Sequence, residues 1–390
     1  MKCMSMNERR LVMATGPTIV DPKILRALSK PTVSSMDPDF GEIFKRALED
    51  LKKVFMTKDD VFVVAGSGTL ALEMAVANVV EPGDKVLNIV TGFFGDYFVK
   101  IVEAHGAIPK ILEIPWGKPA KPEIVKEALK GERFKAVTVT HVETSTGVMN
   151  PIREIGEIVH ELTDAYYVVD SVCSLGGIEV RVDDWQIDVC ASGSQKCIAL
   201  PPGLALLSAN KRVLDYLEKR KTPVNFWYGD FRNWLPVMRE PTKKYFATPA
   251  VNLIYALAES LEMILAEGLE NRFRRHHIFA EAFRAAMKAL KLRLVADEGC
   301  AADTVTAVYY PEKIEDLVFR NEMKNRGIAV ASTLGPLKGK GFRVGHMGNV
   351  NQNDIMSTIA AIEATLKSLG YNFNLGVGLA EAENKILSLK

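Results

Sequence analysis

Lys196 stands in residues 190–208, CASGSQKCIALPPGLALLS, a run that otherwise reads as two short buried strands around a proline turn. Desolvation disfavours an ammonium there. Three roles are open to it: snorkelling to the surface, pairing with a carboxylate, or bonding covalently to a carbonyl compound. Other residues with chemical capacity stand earlier in the chain. They are Ser67, Gly68 and Thr69 in a glycine-rich turn, Phe93 and Phe94 after an apolar run, ETSTG at 143–147, and Asp170 at the end of YYVVD. Singly, each has an ordinary reading. Most glycine-rich turns bind nothing, a phenylalanine plugs a core, and an aspartate caps a helix or forms half of a salt bridge.

The elements that position these residues alternate from about residue 60 onward. VFVVAG (61–66) reads as a strand and TLALEMAVANVV as the helix after it. EPGDKVLNIVTG gives a turn and a strand, and FGDYFVKIVEAHG a helix stopped by Gly106. KPEIVKEALKG is a short amphipathic helix and FKAVTVTHVE a strand. NPIREIGEIVHELTD is a helix with Asn150 as N-cap and Pro151 in its first position, and YYVVD closes another strand. This order predicts an α/β fold, a mostly parallel sheet with helices on both faces. Ligands of such sheets sit beyond the carboxyl ends of the strands, where the residues above fall. One mouth then gathers an anion cradle at a helix N-terminus, an aromatic plate, a carboxylate and a lysine. An aldehyde cofactor with a phosphate arm and a pyridine ring needs that set.

After residue 268 the texture changes to a long charged helix followed by fewer strands and helices. The expected division is an N-terminal arm (1–15), a large cofactor-binding domain (16–268) and a smaller α+β domain (269–390). With 390 residues, 48% of them hydrophobic, 25% charged and a net charge of +1, the chain gives no push toward nucleic acid or membrane. Its cysteines, Cys3, Cys173, Cys190, Cys197 and Cys300, show neither a disulfide framework nor zinc spacing, so no metal is expected. No apolar run reaches transmembrane length and the start lacks an export signal, which points to a cytoplasmic protein.

The stretch 170–208, DSVCSLGGIEVRVDDWQIDVCASGSQKCIALPPGLALLS, resembles the pyridoxal 5'-phosphate segment of class V aminotransferases. Within that class it is similar to the alanine–glyoxylate and serine–pyruvate aminotransferases. The likeness extends from ATGPTIVDPKILRAL (14–28) to GFRVGHMGN (341–349). It implies a fold-type I pyridoxal-phosphate transferase in which Lys196 bonds the cofactor aldehyde and Asp170 faces the pyridine nitrogen. Ser67, Gly68 and Gln195 would hold the phosphate, with Thr69 where relatives often carry histidine. Phe94 would stack on the ring, where tryptophan is frequent, and Ser145 or Thr146 would touch it. YFATPAV (245–251) matches a segment in which Tyr245 and Thr248 reach the partner subunit's phosphate, so a homodimer with its active site at the interface is implied. Arg343 would grip the substrate carboxylate bidentately. The implied reaction moves an amino group from alanine or serine to glyoxylate or pyruvate by a ping-pong path. Lining of the pocket by Arg232, Arg239 or Lys338 would shift it toward acidic or phosphorylated donors.

Rival readings have less behind them. GSGTLA (66–71) fits a dinucleotide turn, yet the next strand ends in Thr91-Gly92 rather than in an acid. A cysteine desulfurase would use Cys300, but such enzymes place histidine where this chain has Gln195 and Phe94. A non-catalytic relic would have lost an element of the constellation, and none is missing. There is no G-x-S-x-G, and HELTD lacks the second histidine of a zinc helix. RFRRHH (272–277) reads as a charged, solvated helix face including His276 and His277, and GPLKGKG as a loop near the substrate mouth.

Overall fold

The computed structural model describes residues 10–389. Seven strands form the central sheet: β1 (Asp60–Gly66), β2 (Lys85–Val90), β3 (Ile108–Glu113), β4 (Ala136–Thr140), β5 (Tyr166–Asp170), β6 (Val189–Gly193) and β7 (Gly203–Ala209). Their spatial order is β1-β7-β6-β5-β4-β2-β3. Every pairing is parallel except the two made by β7. AVTVT and YYVVD are buried along their whole length, as expected of strands covered on both faces by helices. β3 has no alternating signal in the sequence. It is the sheet edge, where Pro109 is tolerated and Lys110, Ile108 and Ile111 face solvent.

The helix expected to begin at Pro151 begins one residue later, at Ile152, with Pro151 as its cap. Asn150 is used elsewhere. Its Oδ1 accepts from Ala120 N at 2.9 Å, and its Nδ2 donates to Thr91 Oγ1 at 2.9 Å and to the Thr140 carbonyl at 2.7 Å. That amide stitches the chain after β2 to the end of β4, three bonds that a capping role would forfeit.

A second core gathers Phe283, Phe319, Phe342, Ile355, Ile359 and their neighbours. It packs on a three-stranded sheet of β8 (Val305–Tyr309), β9 (Ala331–Ser332) and β10 (Gly341–Gly345). Leu11–Val12 pairs in parallel with Ile328–Ala329, and Met13 joins this core. The C-terminal helix Val377–Leu389 is anchored by one buried carboxylate. Glu363 accepts from Gly376 N at 2.6 Å, Gly378 N at 2.7 Å and Leu379 N at 3.2 Å. Glu363→Ala strands those donors and is expected to cost about 2–3 kcal/mol. Urea denaturation checks this, and an unmoved midpoint would show that the helix holds by apolar packing alone.

Candidate active site

The ends of β1, β2, β4, β5 and β6 open on one cavity of about 320 Å³. Of the residues singled out in the sequence, Ser67, Gly68, Thr69, Phe94, Asp170, Gln195 and Lys196 line it. Ser67 is the N-cap of the helix Gly68–Ala77 and makes no capping bond. The first-turn N–H groups of Gly68 and Thr69 have no intrahelical partner by geometry. Gln195 faces the same end, with its Oε1 buried and unpartnered. Gly68 sits close against Val172: an added Cβ would stand 2.9 Å from its Cγ2, so any other residue would force that side chain to shift.

Lys196 is 9% exposed, so it does not snorkel. No carboxylate of the described residues lies within ion-pair reach, and its Nζ donates to the Thr15 carbonyl. The segment holding that carbonyl fits tightly over the lysine. A Cβ at Gly16, where φ is +116°, would sit 2.7 Å from Lys196 Cδ and Cε. The loop beneath is pinned from below. Thr18 Oγ1 donates to the Lys196 carbonyl at 2.9 Å, while Arg272 donates to the carbonyls of Cys197 at 2.8 Å and Gly176 at 2.7 Å.

Asp170 ends β5 and accepts from Val172 N at 2.8 Å. Burial pushes its carboxyl up to about 7; the Glu143 charge adds to this, while the Val172 N–H and Lys196 oppose it. Phe94 lies in the first turn of the helix Phe93–Ala104, its ring 5.7 Å from that of Tyr97.

Other expected residues lie elsewhere. Ser145 and Thr146 turn inward. Ser145 Oγ donates to Glu143 Oε1 at 2.6 Å, and Thr146 Oγ1 accepts from Val148 N at 3.3 Å. Thr144, one residue earlier, is the member of this turn on the cavity wall; the sequence marks the turn but not its register. Arg343 sits behind Thr144, donating from Nη1 to its carbonyl at 3.0 Å and from Nε to the Ser332 carbonyl at 2.7 Å. Burial pulls its guanidinium down to about 10. Tyr245 and Thr248 bond to each other at 3.1 Å. Tyr245 is 63% exposed, off the cavity wall of its own chain.

RFRRHH differs from its sequence reading. His276 is wholly buried, with Nδ1 against the Arg272 carbonyl at 2.7 Å and Nε2 accepting from Gly348 N at 3.0 Å, and Arg272 is buried with it. Of the two, Arg272 serves the loop carrying Lys196, and His276 ties the backbone of Arg272 to Gly348. Cys300 is a buried thiol, its Sγ 3.3 Å from the Asp297 carbonyl, and burial pushes its pKa up. Among the described residues no His, Cys, Asp and Glu group is placed to hold a metal, and no helix is long and apolar enough to cross a membrane.

The residues present fit a flat aldehyde with a phosphate arm. Unpaired donors crowd one end, an aromatic ring and a buried carboxyl line the walls, and a primary amine stands at the floor.

The profile of the aminotransferase class-V family matches residues 24–339. An uncharacterized aminotransferase of Methanocaldococcus jannaschii is 45% identical over 93% of this chain and 94% of its own. The (S)-ureidoglycine–glyoxylate transaminase of Bacillus subtilis is 35% identical over 95% of this chain and 93% of its own. The crystal structure of an alanine–glyoxylate aminotransferase from Nostoc sp. superposes with a TM-score of 0.89 at 32% identity, covering 94% of this chain and 97% of that one.

Proposed function

The chain belongs to the class V aminotransferases, and from that premise we propose that it moves the amino group of alanine or serine to glyoxylate or pyruvate. The single observation that carries the reading is the convergence of a buried lysine, a buried carboxyl and unpaired donors on one cavity. Two named relatives share glyoxylate as the second substrate while their donors differ. A small neutral donor is favoured by the wall itself: among the described residues lining it Lys196 is the only cation, so Arg343 behind Thr144 serves a single carboxylate. Arg232 is held by Asp230 at 2.6 Å and Arg239 by Asp60 at 2.8 Å.

In this reading Ser67, Gly68, Thr69 and Gln195 hold the phosphate of pyridoxal 5'-phosphate, Phe94 covers the ring and Asp170 faces its nitrogen. When bound, the cofactor supplies an aldehyde to receive the amino group and a ring that draws electrons from the α-carbon. Lys196, once displaced and uncharged, takes the proton from the α-carbon, and the same amine returns a proton in the reverse half-reaction. The Thr15 carbonyl accepts a hydrogen bond from that amine and keeps it near the floor of the cavity. Arg343, set behind Thr144, supplies the guanidinium for the substrate carboxylate. Tyr245 and Thr248 complete the phosphate site of a second copy of the chain in a homodimer.

The test is the visible absorption of the purified protein supplied with pyridoxal phosphate. A band that falls on adding alanine or serine and returns with glyoxylate is the expected outcome. A band indifferent to both donors but sensitive to aspartate would move the substrate to acidic amino acids. A protein that binds no cofactor would overturn the reading.

A further inference from the structure

Glu143 holds a wholly buried carboxylate that none of the roles above employs. Its Oε1 accepts from Ser145 N at 3.0 Å and from Ser145 Oγ at 2.6 Å. Its Oε2 accepts from Phe94 N at 3.0 Å and from Gly95 N at 3.2 Å. Burial pushes its proton affinity up and these four donors pull it back. All four bonds are of the kind that an ionised carboxylate accepts.

Two of those donors are the open first turn of the helix Phe93–Ala104. Its N-cap is Gly92, which has no side chain to close the turn. Glu143 therefore caps a helix from a different strand, at the end where the helix dipole favours a negative charge. Gly92 leaves the room for it: an added Cβ there would lie 2.6 Å from Glu143 Cγ and 2.6 Å from Ser145 Oγ. The capped turn is the one that carries the Phe94 ring to the cavity wall.

We propose that Glu143 is a positioning residue, fixing the pose of the Phe94 plate by holding the N–H groups of Phe94 and Gly95. The proposal rests on the reading of the cavity as a pyridoxal-phosphate site. Glu143→Gln keeps the size of the side chain but turns an NH₂ toward one pair of donors, leaving buried N–H groups unpaired. Gly92→Ala displaces the carboxylate by a separate route.

A double-mutant cycle on the affinity of the apoprotein for pyridoxal phosphate, read by ultrafiltration, decides the matter. Phe94→Leu alone is expected to weaken binding about tenfold through loss of the stacked ring. Glu143→Gln alone is expected to weaken it about fivefold and, if it acts through Phe94, to add less than about twofold in the Phe94→Leu background. Gly92→Ala replaces it in the same cycle if the glutamine variant does not fold. Independent losses, giving about fiftyfold in the double variant, overturn the role of Glu143 while leaving the site standing. A wild-type protein that takes up no pyridoxal phosphate overturns the site reading, and this proposal with it.

Discussion

Lys196→Ala is expected to lower turnover by about 10⁴-fold or more, because it removes both the covalent anchor and the base. The variant should also lose the visible band of bound cofactor. Burial argues that the lysine is there for chemistry. A structural lysine at 9% exposure would be held by a carboxylate, whereas among the described residues the Lys196 amine has only the Thr15 carbonyl. Lys196→Arg separates the two roles. It keeps a positive charge and a donor for Thr15, but a guanidinium does not release its proton at neutral pH. Loss of activity in both variants is therefore expected. Partial recovery of the alanine variant with a small primary amine would identify the missing group as the base. Arginine-level charge sustaining wild-type rates would sink the assignment.

Asp170→Asn is expected to lower kcat by about 10³-fold while the protein still takes up pyridoxal phosphate. The amide keeps the volume and can still accept from Val172 N, so what is lost is the charge. A pH dependence isolates the same group. In the apoprotein, burial holds Asp170 up to about 7 against an ordinary value of 3.8. A carboxyl raised in the folded state contributes stability fully below the unfolded value, and loses it as pH rises to the folded one. The wild-type apoprotein should therefore lose stability relative to Asp170→Asn between about pH 4 and pH 7, and not beyond. Urea denaturation of both proteins across that range measures the difference. A flat difference would mean that the carboxyl is hydrated and that its charge is freely available without a cofactor.

The parts that were legible in the sequence share a physical cause. β4 and β5 are covered on both faces, so they read as apolar runs. Asp170, Gln195 and Lys196 follow such runs, and strand ends in a parallel sheet converge. The parts that were not legible depend on neighbours distant in sequence. β3 hides because an edge strand tolerates Pro109 and Lys110. His276 and Arg272 pattern as surface, yet Arg272 donates to the carbonyls of Gly176 and Cys197, and His276 accepts from the N–H of Gly348, partners 72 to 96 positions away. Thr144 differs from Ser145 by one step in a turn, and a turn has no period from which to read its facing. Tyr245 and Thr248 are exposed and bond only to each other among the described side chains, so their surroundings in this chain give no sign of a phosphate site.

The segment from Leu11 to Thr18 belongs to two bodies at once. Leu11–Val12 lies beside Ile328–Ala329, and Gly345 N donates to the Met13 carbonyl at 2.9 Å. A few residues on, Thr15 receives the lysine's hydrogen bond and Thr18 grips the backbone of Gln195 and Lys196. No slack separates the two attachments, since Gly345 would strike the Ala14 carbonyl at 2.5 Å if it carried a Cβ. The segment therefore works as a short tendon. The roof over Lys196 is thus tied to the three-stranded sheet as well as to the seven-stranded one, so the setting of the Lys196 amine depends in part on residues more than a hundred positions away.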